Sequence, residues 1–189
     1  MTAAVLPVSA ASPGPTLAVA AGRVLLLAGT VFGLANLFQY GVQGGLLPLH
    51  PAVLSLSWPI AVTLFLTTLF RLRRSGGEAG RRAAGWSRLG IAATIGAALT
   101  LLAVSFARGD FTTMYWMTPV GISLYAVAWT VAAVRARRAW MMGPALGALC
   151  AAGLAATVLD SPIRSLVYAC ALFAFVLIPG AWLASGRKA

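Results

Sequence analysis

Charge is scarce in this chain, and nearly all of it is of one sign. Asp and Glu together number three in 189 residues, and charged residues of every kind make up 9%. A soluble domain carries about 25%, so the water-facing surface of such a domain is excluded. Histidine is almost absent: His50 stands alone. There are two cysteines, Cys150 and Cys170, with no CxxC spacing. A His- or Cys-based metal centre and a disulfide framework are therefore not expected. No G-x-S-x-G elbow occurs, and His50 has no obvious catalytic partner. No acidic or basic residue sits near the middle of an apolar run, where proton- and cation-coupled carriers usually place one. These gaps lead us to expect a non-enzyme without a cofactor or metal.

What is present is apolar: 60% of the residues. Runs of about 20 such residues span ~30 Å of hydrocarbon at 1.5 Å rise per residue. Six runs are found, at about 24–41, 52–70, 86–106, 113–134, 140–159 and 162–183. The expected fold is an all-α polytopic membrane protein, a six-transmembrane-helix bundle. Residues 1–20 are rich in Ala, Pro, Ser and Gly and carry no charge, so they read as a flexible tail. They lack the basic start of a secretory signal, so no cleavage is expected. Residues 186–189 form a second short tail.

The fourteen basic residues give a net charge of +11. On a soluble fold this would point to nucleic acid. Here they cluster at the ends of apolar runs, which points to topology and headgroup contact instead. Twelve fall on one side: Arg23; Arg71, Arg73, Arg74, Arg81, Arg82 and Arg88; Arg135, Arg137 and Arg138; and Arg187 and Lys188. Only Arg108 and Arg164 fall on the other. Cytoplasmic loops carry the Lys/Arg excess, so both termini are expected in the cytoplasm. The richness in Ala, Gly, Arg and Leu fits a small bacterial inner-membrane protein.

Aromatic residues agree with this threading. Trp86, Trp140 and Trp182 mark the arginine-rich ends of spans, and Tyr40, Tyr115 and Trp116 the opposite ends. The nine arginines at 71, 73, 74, 81, 82, 88, 135, 137 and 138 are candidates for contact with anionic lipid or an acidic partner. Their largest loop, 71–88, is glycine-containing and is expected to be flexible. The second and fourth spans share a layout: a proline toward the arginine-poor end (Pro59, Pro119), a closing Arg-x-Arg-Arg, and a next span opening at tryptophan. A duplicated helical hairpin would leave this trace, and so would Arg-rich helix ends that arose separately.

Two polar faces stand out. In "GTVFGLANLFQYGVQGG", Gly29, Gly33, Asn36, Tyr40 and Gln43 share one helix sector, with Gln39 at its edge. Glycines four apart permit close helix approach. Amides cannot face hydrocarbon unpaired, so this face must meet protein or water. On the fourth span, Tyr115, Thr118, Tyr125 and Trp129 recur at helical spacing around Pro119. Facing each other, the two stripes would form a cleft lined by Asn36, Gln39, Tyr40, Gln43, Tyr115, Thr118 and Tyr125. Interhelical hydrogen bonding and ordinary core packing explain the same residues. On the fifth span, Gly143, Gly147, Cys150 and Leu154 share a face suited to close packing. Two functional expectations follow. The first is a non-catalytic accessory or regulatory partner of another membrane protein, or of a second copy. The alternative is a small channel or facilitator for a neutral or lipid-like solute.

Overall fold

The computed structural model describes residues 16–75 and 77–186. Residues 1–15 and 187–189, which hold most of both expected tails along with Arg187 and Lys188, lie outside them. Helix α1 covers Leu17–Gln43, α2 Leu54–Ser75, α3 Gly77–Arg108, α4 Met117–Ala136, α5 Met142–Thr157, α6 Ile163–Leu172 and α7 Ile178–Ala184. Short 3-10 turns lead into α2, α4 and α5. A π-helical segment, Phe173–Leu177, joins α6 to α7. No strand occurs among the described residues. The protein is thus all-helical, with six helices long and apolar enough to cross a membrane, α6 and α7 together making the sixth.

Two boundaries correct the sequence reading. The first helix begins at Leu17, so residues 17–20 belong to it and not to a tail. Thr16 caps it, its Oγ1 accepting from the Val19 N–H at 3.3 Å. The arginine loop 71–88 is not a flexible loop. α2 continues to Ser75 and α3 starts at Gly77. Gly77 takes φ +57°, which lets the chain reverse within a residue or two. Glu78 sits in the first turn of α3 and pairs with Arg82 one turn on. At 32 residues α3 is about 48 Å long, well over the ~30 Å hydrocarbon thickness. Its first turns therefore project past the apolar zone on the arginine-rich side.

The tightest seam joins α1 to the composite sixth span, running antiparallel. A Cβ at Gly29 would lie 2.7–2.9 Å from Leu177, and one at Gly180 would lie 2.9 Å from the Leu26 nitrogen. Glycine on both helices removes the side chains that would hold the backbones apart. The seam also brings the ends of the described chain together: a Cβ at Gly186 would sit 3.7 Å from Val19.

Pro179 shapes the sixth span. It has no N–H to offer the Phe175 carbonyl one turn back, and the helix widens into its π segment there. The carbonyl is not left bare. Trp129 of α4 donates its Nε1–H to Phe175 O at 2.7 Å. The core that α4 shares with the sixth span includes Ile122, Leu172 and Val176, each 1% exposed.

α5 packs on a face other than the expected one. Ala145, Ala148, Ala152 and Ala155 are buried, whereas Gly143, Cys150 and Leu154 are exposed. Alanines four and three apart let α5 close on its neighbours without glycine. Only Gly147 of the expected set meets another helix, at the Phe175 ring.

Candidate functional site

The amide face of α1 meets protein, but its members go to different partners. Asn36 is buried, and its Nδ2 donates to its own helix at Phe32 O, 2.8 Å away. Gln39 turns to α2 and donates to Ser57 Oγ at 3.2 Å. Gln43 reaches the start of α6, its Oε1 accepting from Arg164 Nη2 at 3.5 Å. Tyr40 is half-buried at the same end.

Arg164 is the residue the sequence reading placed only as a minor topology charge. In the structure it gathers the arginine-poor helix ends. Its Nη1 donates to Leu159 O at 2.9 Å and to Ser161 O at 3.3 Å, closing the turn between α5 and α6. Its guanidinium stacks on Tyr115, 3.9 Å from the ring centroid. The Gln43 bond ties in α1. One cation thus touches three elements, which suits a planar, five-donor guanidinium. The signal for it was present in sequence: Arg164 lies just past the "DSP" start of its helix, level with Gln43 and Tyr115.

Tyr125 lies deeper and packs against the core with Tyr168. The Tyr168 hydroxyl rests on α4, where a Cβ at Gly121 would come within 2.5 Å of it. Thr118 is half-buried one turn above Ile122. Of the seven proposed cleft residues, only Gln43 and Tyr115 are joined, and through Arg164. Two buried polar atoms have no partner among the described residues, Ser105 Oγ and Trp140 Nε1.

At this same end, His50 caps the turn before α2: its Nδ1 accepts from the Ala52 N–H at 3.2 Å. Asp110 plays the equivalent role before α4. Its carboxylate accepts from the Thr112 hydroxyl at 2.7 Å and the Thr112 N–H at 2.8 Å. These bonds, the hydroxyl's first, and then the nearby Arg108 hold the carboxyl below its ordinary range.

The arginine-rich end is organised by tryptophan. Arg135 at the end of α4 lies over Trp86 of α3, 4.5 Å from its centroid. Trp129, Trp140 and Trp182 form a ladder with centroid spacings of 6.0 and 4.5 Å. Arg71 also has an interaction partner. Arg74, Arg81, Arg82, Arg88, Arg137 and Arg138 are exposed, and Arg73 is partly so.

Comparison with protein-family models, with curated proteins and with solved structures finds no match for this chain. The reading of function therefore stands on geometry. Among the described residues, no three of His, Cys, Asp and Glu converge as a metal site would require. What the molecule offers chemically is a cationic, tryptophan-lined end, a clasped opposite end, and one helix that is hardly covered.

Proposed function

We propose that the protein is a non-catalytic accessory or regulatory partner within a bacterial inner membrane, that both its termini are cytoplasmic, and that it docks a helix of another membrane protein on the outward face of α3. Among the described residues, ten of twelve basic side chains belong to one end of the bundle, which supports this orientation.

The observation that carries the docking reading is the state of α3. Only 6% of its spanning window is buried, against 33% for the α4 span and 44% for the sixth. Its outward stripe holds Gly85, Ala92, Gly96 and Ala103, all exposed. A Cβ at Gly85 or Gly96 would meet nothing within 4 Å. Small residues repeating at seven and four let a second helix approach closely, and such approach drives association where lipid tails are as apolar as leucine. The facilitator reading draws no comparable support, since Gln39 and Gln43 are occupied by Ser57 and Arg164.

The test is native mass spectrometry of the protein extracted gently from its own membranes. A second protein, or a second copy, should accompany it at fixed stoichiometry. Replacing Gly85 and Gly96 together by leucine should abolish that association while the protein stays folded. A wild-type protein that emerges alone would sink the proposal.

A further inference from the structure

α3 and α4 end in the same backbone motif, closed by different residues. At the end of α3, Gly109 takes φ +66°. Its N–H reaches Phe106 O at 3.3 Å, and the Asp110 N–H reaches Ser105 O at 3.1 Å. At the end of α4, Arg137 takes φ +52°. Its N–H reaches Val134 O at 3.4 Å, and the Arg138 N–H reaches Ala133 O at 3.1 Å. This paired closure favours glycine at the left-handed position, because a Cβ there crowds the following carbonyl oxygen. Arg137 is the only non-glycine residue with positive φ among those described. The α4 end therefore keeps a guanidinium where the backbone favours none, and a strained position of this kind points to a task for the side chain.

Its surroundings define that task. Arg135, Arg137 and Arg138 crowd into four residues at the interface end of α4. Arg135 is held over Trp86. No carboxylate balances them: among the described residues Glu78 pairs with Arg82, and Asp110 and Asp160 lie at the other end of the bundle. Beyond the cations, toward the middle of the spans, α3 and α4 carry exposed apolar side chains. Leu89 lies one turn from Trp86 and is 64% exposed; Val131 lies one turn from Arg135 and is 38% exposed. A Cβ at Gly90 would meet nothing within 4 Å.

We infer that the α4–α5 turn binds the headgroup phosphate of an anionic phospholipid, with an acyl chain lying along the α3–α4 seam. Guanidiniums match phosphate oxygens in fork geometry. Trp86 shares this end of the bundle with the cations, and tryptophan favours the headgroup layer. The occupant is a lipid and not free phosphate because exposed apolar side chains of α3 and α4 follow the cationic turn. Leu89 borders the docking stripe, four residues from Gly85 and seven from Gly96, but the cations belong to the α4–α5 turn, so the lipid site does not depend on the docking reading.

The full-length protein is reconstituted in phosphatidylcholine vesicles containing a minor share of phosphatidylglycerol. Retained lipid is then read by native mass spectrometry. The triple variant R135Q/R137Q/R138Q should hold phosphatidylglycerol roughly a hundredfold more weakly than wild type, as three juxtamembrane cations imply. A control that removes the same charge elsewhere, R73Q/R74Q/R81Q, should keep the lipid. Arg137→Gly should raise the thermal midpoint and at the same time reduce retention, two movements that a purely structural arginine would not combine. Excess inorganic phosphate should leave the lipid in place. Equal losses in both triple variants, displacement by phosphate, or full retention in Arg137→Gly would each overturn the inference.

Discussion

The α2–α3 and α4–α5 hairpins look alike in sequence and are used differently. Each first helix carries a proline near its arginine-poor end and closes in Arg-x-Arg-Arg, and each hands over to a span opening at tryptophan. In the structure the likeness stops at the turn. α3 has 32 residues and α5 has 16. α5 is clasped by α4 and the sixth span through its alanines, and Gly147 of α5 and Gly121 of α4 press on Phe175 and Tyr168. A Cβ at Gly85, Gly90 or Gly96 of α3 would meet nothing within 4 Å. At these positions the same residue type lies against the core in one hairpin and in the open in the other. A glycine in a membrane helix thus shows where close approach is possible, not whether a partner lies in the same chain.

The sharpest way to break this comparison is to swap matched glycines. Gly121→Val forces the buried Tyr168 ring aside and should cost about 3 kcal/mol, the scale of overpacking. Gly96→Val should change stability by less than about 0.5 kcal/mol, as at an uncovered surface. Equilibrium unfolding in mixed micelles reads both, and equal losses would erase the distinction between the hairpins.

A smaller effect is expected at the bond that locks α4 to the sixth span. Trp129→Phe leaves Phe175 O without its donor in an apolar interior, at a cost of about 2 kcal/mol. Pro179→Ala supplies a backbone N–H one turn on. The double variant should therefore be less destabilised than the sum of the singles, and an additive double-mutant cycle would refute the account of the π segment.

Smaller again is Arg164→Gln. It removes the stack on Tyr115 and the hydrogen bonds to Leu159, Ser161 and Gln43, and should cost about 1 kcal/mol. The same unfolding assay checks it, and Gln39→Leu at the α1–α2 bond should lose less.

The least effect lies at the turn between the two hairpins. The Asp110 carboxyl is held below its ordinary value of 3.8 in the folded state, by Thr112 first. A depressed carboxylate stabilises the fold above its unfolded value, and that contribution fades as pH falls through the folded one. Acid titration of stability should thus show a slight loss below about pH 4 that Asp110→Asn removes.

Much of this fold was legible in the chain. The six spans were found because each is a run of local composition. Two helix starts rest on chemistry local to the chain: Ser161 Oγ accepts from the Ile163 N–H, and His50 Nδ1 accepts from the Ala52 N–H. The start of α3 was misplaced because Gly77 and Gly80 resemble a loop locally. Their helix is held by Glu78–Arg82 and by packing on α2, where a Cβ at Gly80 would lie 3.0 Å from Leu72 O. The candidate cleft was legible as polar residues but not as partners. Gln43 meets an arginine 121 residues away, and Trp129 serves a carbonyl 46 residues away. Pro179 leaves the Phe175 carbonyl without a backbone donor, and nothing near it in sequence names the side chain that supplies one.

Sequence alone determined how many times the chain can cross and at which end its cations gather. Both follow from the cost of placing charge and unpaired backbone in hydrocarbon, a cost each segment meets by itself. Only the tertiary structure decided which helices are inside. α3 and the sixth span have nearly the same mean hydropathy, yet one is 6% buried and the other 44%. Between lipid and protein there is no hydrophobic gradient to mark an inner face. The choice fell to shape: glycine meeting glycine across α1 and α7, alanines along α5, and one tryptophan placed to answer a proline.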